Sequence, residues 1–285
     1  AIGSLKMTEK FRSALVQTCT GCDVDRNISD VAKQVHEAAS NGATYIQTPE
    51  VTNVIEVRGA DQLAKSEPDD DTNRAIKAFA SLSKELGIWL HIGSMAVRKA
   101  EDKLANRAFL FDPEGNIKAR YDKIHMFDFD VDSANRYNES RRYDAGDRAV
   151  LADLPWGKLG ITICYDMRFP GLYRSLAKAG AQVIAVPSAF TVPTGEAGHW
   201  LTLLRARAIE AQCYVLAAAQ AGEHESGRKS YGHSVAIAPW GEILAEADGL
   251  QKTVIYADID MAEVEKARSR VPSLGNDRPF DVTFA

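Results

Sequence analysis

One order of segments is written twice along this chain, and few architectures accommodate that. In the first half, Ala14–Gln17 reads as a strand, Val31–Ser40 as an amphipathic helix and Thr44–Gln47 as a strand. Ile28, Val31, Val35 and Ala39 keep helical spacing on that helix. Asp69–Leu86 reads as a second helix, with Asp69, Asp70 and Asp71 in its first turn, where negative charge suits the helix dipole. Ile88–Val97 and Arg107–Phe111 read as strands, and Asp112-Pro113-Glu114-Gly115 as the turn into Ile117–Tyr121. The second half runs through the same order: strand Leu159–Cys164, helix Gly171–Ala179, strand Gln182–Pro187, helix His199–Glu210, then strands Tyr214–Ala219 and Ser234–Ala238. The turn Ala238-Pro239-Trp240-Gly241 leads into Glu242–Ala245. Ala39-Ser40-Asn41-Gly42-Ala43 and Ala177-Lys178-Ala179-Gly180-Ala181 occupy matching places, and the two proline-containing turns do as well. The offsets of these pairs differ, so one half carries an insertion.

A period this long is not a solenoid repeat. It points to a pseudo-twofold α/β domain, two mixed sheets packed together with helices outside. An ordinary doubly wound sheet also fits the alternation. With 285 residues, 45% of them hydrophobic, the chain can fill one large core or two small ones. No linker or low-complexity stretch divides it, so residues 7–285 read as a single domain. Residues 1–6 read as an addition ahead of a natural start at Met7.

The net charge of −5 and the lack of any long Lys/Arg run argue against a nucleic-acid partner. No apolar run approaches the ~18 residues of a membrane span. The N-terminus lacks the basic-then-apolar pattern of an export signal, which places the chain in the cytoplasm with reduced thiols. Of the four cysteines, Cys19 and Cys22 form a C-x-x-C. Without a second pair of Cys or His it is weak evidence for zinc, and it reads as structural or incidental.

Chemistry in α/β folds gathers at the carboxyl ends of strands. Glu50, Lys123 and Cys164 each stand at such an end. Each has an ordinary reading: a solvated rim charge for the first two, a small core residue for the cysteine. As a set they suit acyl transfer. A thiol needs activation, a carboxylate can take its proton and return it to a leaving amine, and an ammonium can stabilise the oxyanion. The repeat aligns the strand before Glu50 with the strand ending near Ser188, so both halves feed one cleft. There is no G-x-S-x-G, G-x-G-x-x-G, P-loop or H-E-x-x-H, and the six histidines lack metal-ligand spacing. A Cys–His hydrolase using His125 or His233 stays open.

In order along the chain stand QTPE, YDKIHMFD, ESRRYDAGD, CYDMRFPGLYRSLAKAGA, PSAFTVPTG, HWLTLLRARAIEAQCYV and YGHSVAIAPWG. This series resembles the nitrilase-like carbon–nitrogen hydrolases, and it spans about residues 13 to 270. The resemblance implies a four-layer α-β-β-α sandwich. It also implies a catalytic set of Glu50, Lys123 and Cys164, with Glu139 orienting Lys123 and the substrate amine. Lys123 and the Tyr165 N–H would form the oxyanion site. From the residues themselves, Arg168 reads either as a bidentate partner for an anionic substrate group or as an ion pair with Asp166 that shapes the strand exit, and Phe190 either as pocket lining or as core. Asp166 reads as turned either to substrate or to scaffold.

Among subfamilies, CYDMRFP, PSAF and the RARAIE helix resemble the Nit-type amidases. The implied reaction converts a small carboxylate-bearing amide to acid and ammonia through a Cys thioester. The substrate would be of the deaminated-glutathione kind, with 2-oxo acid amides or N-carbamoyl amines as alternatives. The implied enzyme uses no metal or organic cofactor and forms a homodimer or larger homo-oligomer. Two places depart from the family pattern. TGEAGHW carries an extra Gly198, and residues 128–138 lack the usual proline–glycine character.

Overall fold

A computed structural model describes residues 10–56, 58–130 and 136–284; residues 1–6 lie outside them. The first half comprises β1 (Lys10–Gln17), α1 (Val24–Ser40), β2 (Tyr45–Gln47), α2 (Gly59–Lys65), α3 (Arg74–Leu86), β3 (Trp89–Arg98), β4 (Leu104–Phe111) and β5 (Ile117–Asp122). A small hairpin, β6 (Asp128–Asp130) and β7 (Arg136–Asn138), follows. The second half comprises β8 (Val150–Leu154), β9 (Gly157–Ile161), α4 (Pro170–Lys178), β10 (Val183–Ala185), α5 (Val192–Glu196), α6 (His199–Ala211) and β11 (Tyr214–Ala217). Then come the hairpin β12 (Ala221–Glu223) and β13 (Lys229–Tyr231), β14 (Val235–Ile237), β15 (Ile243–Glu246), β16 (Thr253–Asp260) and α7 (Ala262–Arg270).

The repeat is realised as two six-stranded sheets of the same design, β16-β1-β2-β3-β4-β5 and β8-β9-β10-β11-β14-β15. In each, three parallel strands are flanked by one antiparallel strand on one side and two on the other. This excludes the single doubly wound sheet. The flanking strand comes from opposite ends of the sequence: β8 precedes β9 directly, whereas β16 returns from the C-terminal side to pair with β1 along its whole length.

Strand alternation builds the layers. On β1, Ala14 and Val16 pack with Val31, Val35 and Ala38 of α1 and with Ile76, Phe79 and Leu82 of α3. Phe11 and Leu15 face the other way, and the Phe11 ring stacks on Trp156 of the second half at 4.4 Å. Tyr173, Leu176, Trp200, Leu204 and Ala208 from α4 and α6 cover the far side. The result is the helix–sheet–sheet–helix sandwich. A fully buried side chain such as Phe79 contributes roughly 2–3 kcal/mol.

Several boundaries differ from the sequence reading. The helix expected over Asp69–Leu86 begins at Arg74, because the Asn73 side chain caps it by accepting from the Ile76 N–H at 3.0 Å. Asp69 lies outside, bonded to Arg107 and Arg120 at 2.7 Å each. The first helix starts seven residues earlier than expected, at Val24, behind an Asp23 cap. The strand expected through Cys164 ends at Ile161.

Candidate active site

Both sheets deliver their parallel-strand ends to one pocket. After β2, the chain Thr48-Pro49-Glu50 is clamped by Ser94, whose Oγ accepts from the Val51 N–H at 2.8 Å, and Val51 is held at φ +54°. After β9, Cys164 opens a 3-10 helix, Cys164–Arg168, at φ +46°. A side-chain-bearing residue in this region stores strain and persists only where its surroundings over-determine it. Its N–H donates to Pro187 O at 2.9 Å. Gly93 lets the two ends meet. A Cβ there would lie 2.1 Å from Thr48 O, 2.6 Å from Pro49 O and 2.3 Å from Pro187 Cβ, so only glycine permits this approach.

Lys123, two per cent exposed and one residue past β5, is the hub. Its Nζ donates to Glu50 Oε1 at 2.8 Å and to Glu139 Oε1 and Oε2 at 3.0 and 2.9 Å. Glu139 heads the short 3-10 helix Glu139–Arg141, and its Oε2 also accepts from the Phe127 N–H at 2.7 Å. Glu50 Oε2 accepts from the Ala189 N–H at 2.8 Å, directly after Ser188, as the repeat foretold. Gln220 Nε2 holds the Glu50 carbonyl at 3.0 Å.

The electrostatics follow from burial and charge. Burial opposes the Lys123 ammonium, but the Glu139 and Glu50 charges outweigh it, and its pKa lies well above the ordinary value. Burial would raise Glu50. The Lys123 charge and hydrogen bond, the Arg228 charge and the Asn106 hydrogen bond together hold it below the ordinary carboxylate value. Burial, then the Glu50 charge, push the Cys164 thiol well up, against the pull of Lys123. The resting pair is therefore thiol plus carboxylate over an ammonium.

Tyr165, Arg168 and Phe190 all line the same pocket. Asp166 N–H is the first to bond within the 3-10 helix, to Ile163 O at 3.1 Å, which leaves the Tyr165 N–H ahead of the ladder. Phe190 also packs on Trp200, ring centroids 5.0 Å apart. The Arg168 guanidinium lies over the Phe190 ring and contacts His199 Nδ1 at 3.2 Å.

Asp166 belongs to the scaffold. Fully buried, it accepts from Tyr121 Oη (2.7 Å), the Ile163 N–H (2.9 Å), the His125 N–H (3.1 Å) and bonds His125 Nδ1 (2.7 Å). His125 is thus committed to Asp166, and His233 stacks on Tyr231 at 4.3 Å; neither lines the pocket, which removes the Cys–His alternative.

Sequence reasoning missed Asn106, Tyr137, Thr194 and Arg228, all of which line the pocket. Arg228 donates to Ala189 O at 3.0 Å and lies over the Tyr137 ring. Among the described residues, neither Arg168 nor Arg228 has a carboxylate partner. Asn106 carried a signal: an amide on the β4 face that otherwise presents Ala108 and Leu110.

The extra Gly198 sits at φ +81° as the residue before α6 and does not line the pocket. The described parts of the 128–138 loop form the β6–β7 hairpin; residues 131–135 lie outside the described residues. All four cysteines are free thiols. Cys19 Sγ lies 3.7 Å from His224 Nδ1, which also contacts Thr20 O at 2.9 Å; a carbonyl accepts only, so that nitrogen carries its proton and cannot take the thiol's. No group of three or more His, Cys, Asp or Glu among the described residues is placed to hold a metal ion. No described helix is long and apolar enough to cross a membrane.

Comparison with known proteins agrees with this geometry. The carbon-nitrogen hydrolase family profile matches residues 12–269. A deaminated glutathione amidase from Yersinia enterocolitica is 38% identical, covering 93% of this chain and 92% of the relative. An omega-amidase from Xenopus tropicalis is 36% identical over 92% of this chain and 93% of its own. The crystal structure of the C. elegans NitFhit protein superposes with a TM-score of 0.88 at 34% identity, over 95% of this chain and 66% of that longer one. The chain belongs to the carbon-nitrogen hydrolase (nitrilase) superfamily, as a hydrolase of the amidase kind acting on carbon–nitrogen bonds.

Proposed function

We propose that this protein hydrolyses a small carboxylate-bearing amide through a thioester on Cys164, with deaminated glutathione or a close analogue as substrate. The observation that carries the reading is the placement of one buried ammonium, Lys123, within 3.0 Å of two carboxylates in the pocket that holds Cys164. Two arginines that line the pocket without a carboxylate salt-bridge partner, Arg168 and Arg228, support an anionic substrate, because a guanidinium is the natural bidentate partner of a carboxylate. The relatives named above support the substrate class.

The steps follow from the charges. The amide carbonyl enters beside Cys164, and its oxygen is held by Lys123 Nζ and the Tyr165 N–H. As sulfur attacks, the thiol proton passes to Glu50. A depressed carboxylate does not take a proton from an elevated thiol beforehand, so transfer and attack are concerted, drawn by the oxyanion forming beside Lys123. The tetrahedral intermediate collapses, and the nitrogen leaves with the proton from Glu50. Water then attacks the thioester, gives its proton to Glu50, and that proton returns to the Cys164 sulfur as the acid departs. Lys123 stays an ammonium throughout.

The test is a release assay over deaminated glutathione, 2-oxoglutaramate, glutamine analogues and N-carbamoyl amino acids, with Cys164→Ala alongside. The expected result is turnover of a carboxylate-bearing amide by the native enzyme and none by the folded variant. Substantial turnover by Cys164→Ala would overturn the assignment. The similarity to the Xenopus omega-amidase favours a second reading, a 2-oxo acid amide substrate. It prevails if 2-oxoglutaramate has the highest kcat/KM.

A further inference from the structure

Asn106 lies in the middle of β4, one per cent exposed, and its side chain does two things at once. Its Nδ2 donates to Glu50 Oε1 at 2.9 Å and to Glu139 Oε1 at 3.0 Å. Both protons of the amide are thereby used, one on each carboxylate. Its backbone carbonyl accepts from the Lys123 N–H at 3.0 Å, so the same residue also fixes the main chain that presents the ammonium. Its Oδ1 is buried and has no hydrogen-bond partner.

The orphaned oxygen is informative. Buried polar atoms are nearly always satisfied, and one that is not usually reports a functional constraint. Turning the amide over would set Oδ1 against two carboxylate oxygens, so charge fixes the orientation that leaves it unpaired. The site retains the amide for its N–H groups and accepts the cost of its carbonyl.

The donors have a definite consequence. Glu50 and Glu139 share the Lys123 ammonium, with the Arg228 charge beside Glu50, and a hydrogen-bond donor to an ionised carboxylate favours that form. The Asn106 donor favours the ionised form of Glu50 without adding charge, and the second N–H fixes one oxygen of Glu139. Lys123 and Asn106 together occupy Glu50 Oε1, which leaves Oε2, held only by the Ala189 N–H, with a lone pair free. The Ala189 N–H and the Glu50 side chain both act on the Cys164 sulfur, and Oε2 is the Glu50 oxygen that shares this N–H with it.

We propose that Asn106 is a positioning residue for the hydrolysis: it holds Glu50 and Glu139 oriented about Lys123 and leaves Glu50 Oε2 as the oxygen that exchanges the proton with Cys164. The inference rests on the reading of Glu50 as the base. Asn106→Leu removes the donors and the orphaned carbonyl at similar volume; Asn106→Asp keeps the shape and adds a third carboxyl.

The experiment measures kcat/KM against pH for amide hydrolysis, with thermal unfolding, for both variants and for Cys164→Ala and Glu50→Gln. Asn106→Leu is expected to keep its melting temperature and to lose kcat/KM on the order of 100-fold, as for a misoriented reacting group. Its acid limb is expected to move to higher pH. Asn106→Asp is expected to be impaired at neutral pH and to recover partly as pH falls and its new carboxyl protonates. A folded Asn106→Leu within about threefold of native kcat/KM, with an unmoved acid limb, overturns the inference. If Asn106→Leu does not fold, Asn106→Asp decides: native activity at neutral pH overturns it equally. Activity retained in Cys164→Ala or Glu50→Gln would instead sink the underlying mechanism.

Discussion

Asp166→Asn probes the support beneath the nucleophile. Asp166 Oδ1 receives two donors from His125, the N–H and Nδ1, and Oδ2 receives Tyr121 Oη and the Ile163 N–H. An asparagine keeps one oxygen and turns the other into a donor. If the new NH2 faces Tyr121, the hydroxyl can turn to accept from it, but the buried Ile163 N–H is orphaned. If it faces His125, the ring can accept in its other tautomer, and the half-buried His125 N–H is lost instead. The second arrangement is the cheaper. It forfeits one backbone donor and the charge assistance on the others, about 1–3 kcal/mol for an unmatched buried donor and somewhat more for the lost charge. We expect a destabilisation of about 3 kcal/mol, read as a lower urea midpoint at unchanged m. We also expect a fall in kcat, because Ile163 directly precedes Cys164 and the 3-10 helix fixes its left-handed backbone. A loss under about 0.5 kcal/mol with native kcat would refute the reasoning, since surface substitutions typically stay within that range.

Three further outcomes follow from the same geometry. Gly93→Ala should cost at least roughly 1–3 kcal/mol, the usual penalty for overpacking, and abolish turnover by forcing apart the Thr48–Pro49 and Pro187 backbones; normal activity at normal stability would contradict it. Glu50→Gln should abolish hydrolysis yet speed alkylation of Cys164 by iodoacetamide at neutral pH, because the Glu50 charge raises the thiol while Lys123 lowers it; unchanged or slower alkylation would contradict it. Burial depresses His91 to about 3 and His224 to about 4 from an ordinary 6.5. The unfolded chain therefore binds these protons first. Stability should be full above pH 6.5 and fall on acidification, by up to roughly 1.4 kcal/mol per pH unit for each histidine, down to about pH 4 for His224 and about pH 3 for His91; His91→Gln should flatten the fall, and an unchanged slope would refute the assignment.

The duplicated order of segments was legible because it rests on local periodicity and turn residues, which packing did not override. The Glu50, Lys123 and Cys164 positions were legible for the same reason, as polar residues where apolar runs stop. What escaped was non-local. Nothing near Thr253 announces that β16 crosses the chain to pair with β1. Acidic residues ahead of a helix looked like its first turn, but Asp69 had a stronger use with Arg107 and Arg120. Asn106 and Arg228 reach the pocket from within a strand and from the turn of a hairpin, where polar side chains are ordinarily read as exceptions or as surface. The direction of Asp166 depends on Tyr121 and His125, more than 40 residues away in sequence.

The covalent step is tested most directly by quenching the enzyme in acid during turnover of an amide substrate and measuring the mass of the intact chain and of its Cys164-containing peptide. The account predicts a mass increase equal to the acyl group of the substrate, confined to that peptide, discharged by hydroxylamine as a hydroxamate and absent from Cys164→Ala. Turnover with no acyl adduct at Cys164, or an adduct on another residue that survives in Cys164→Ala, would contradict it.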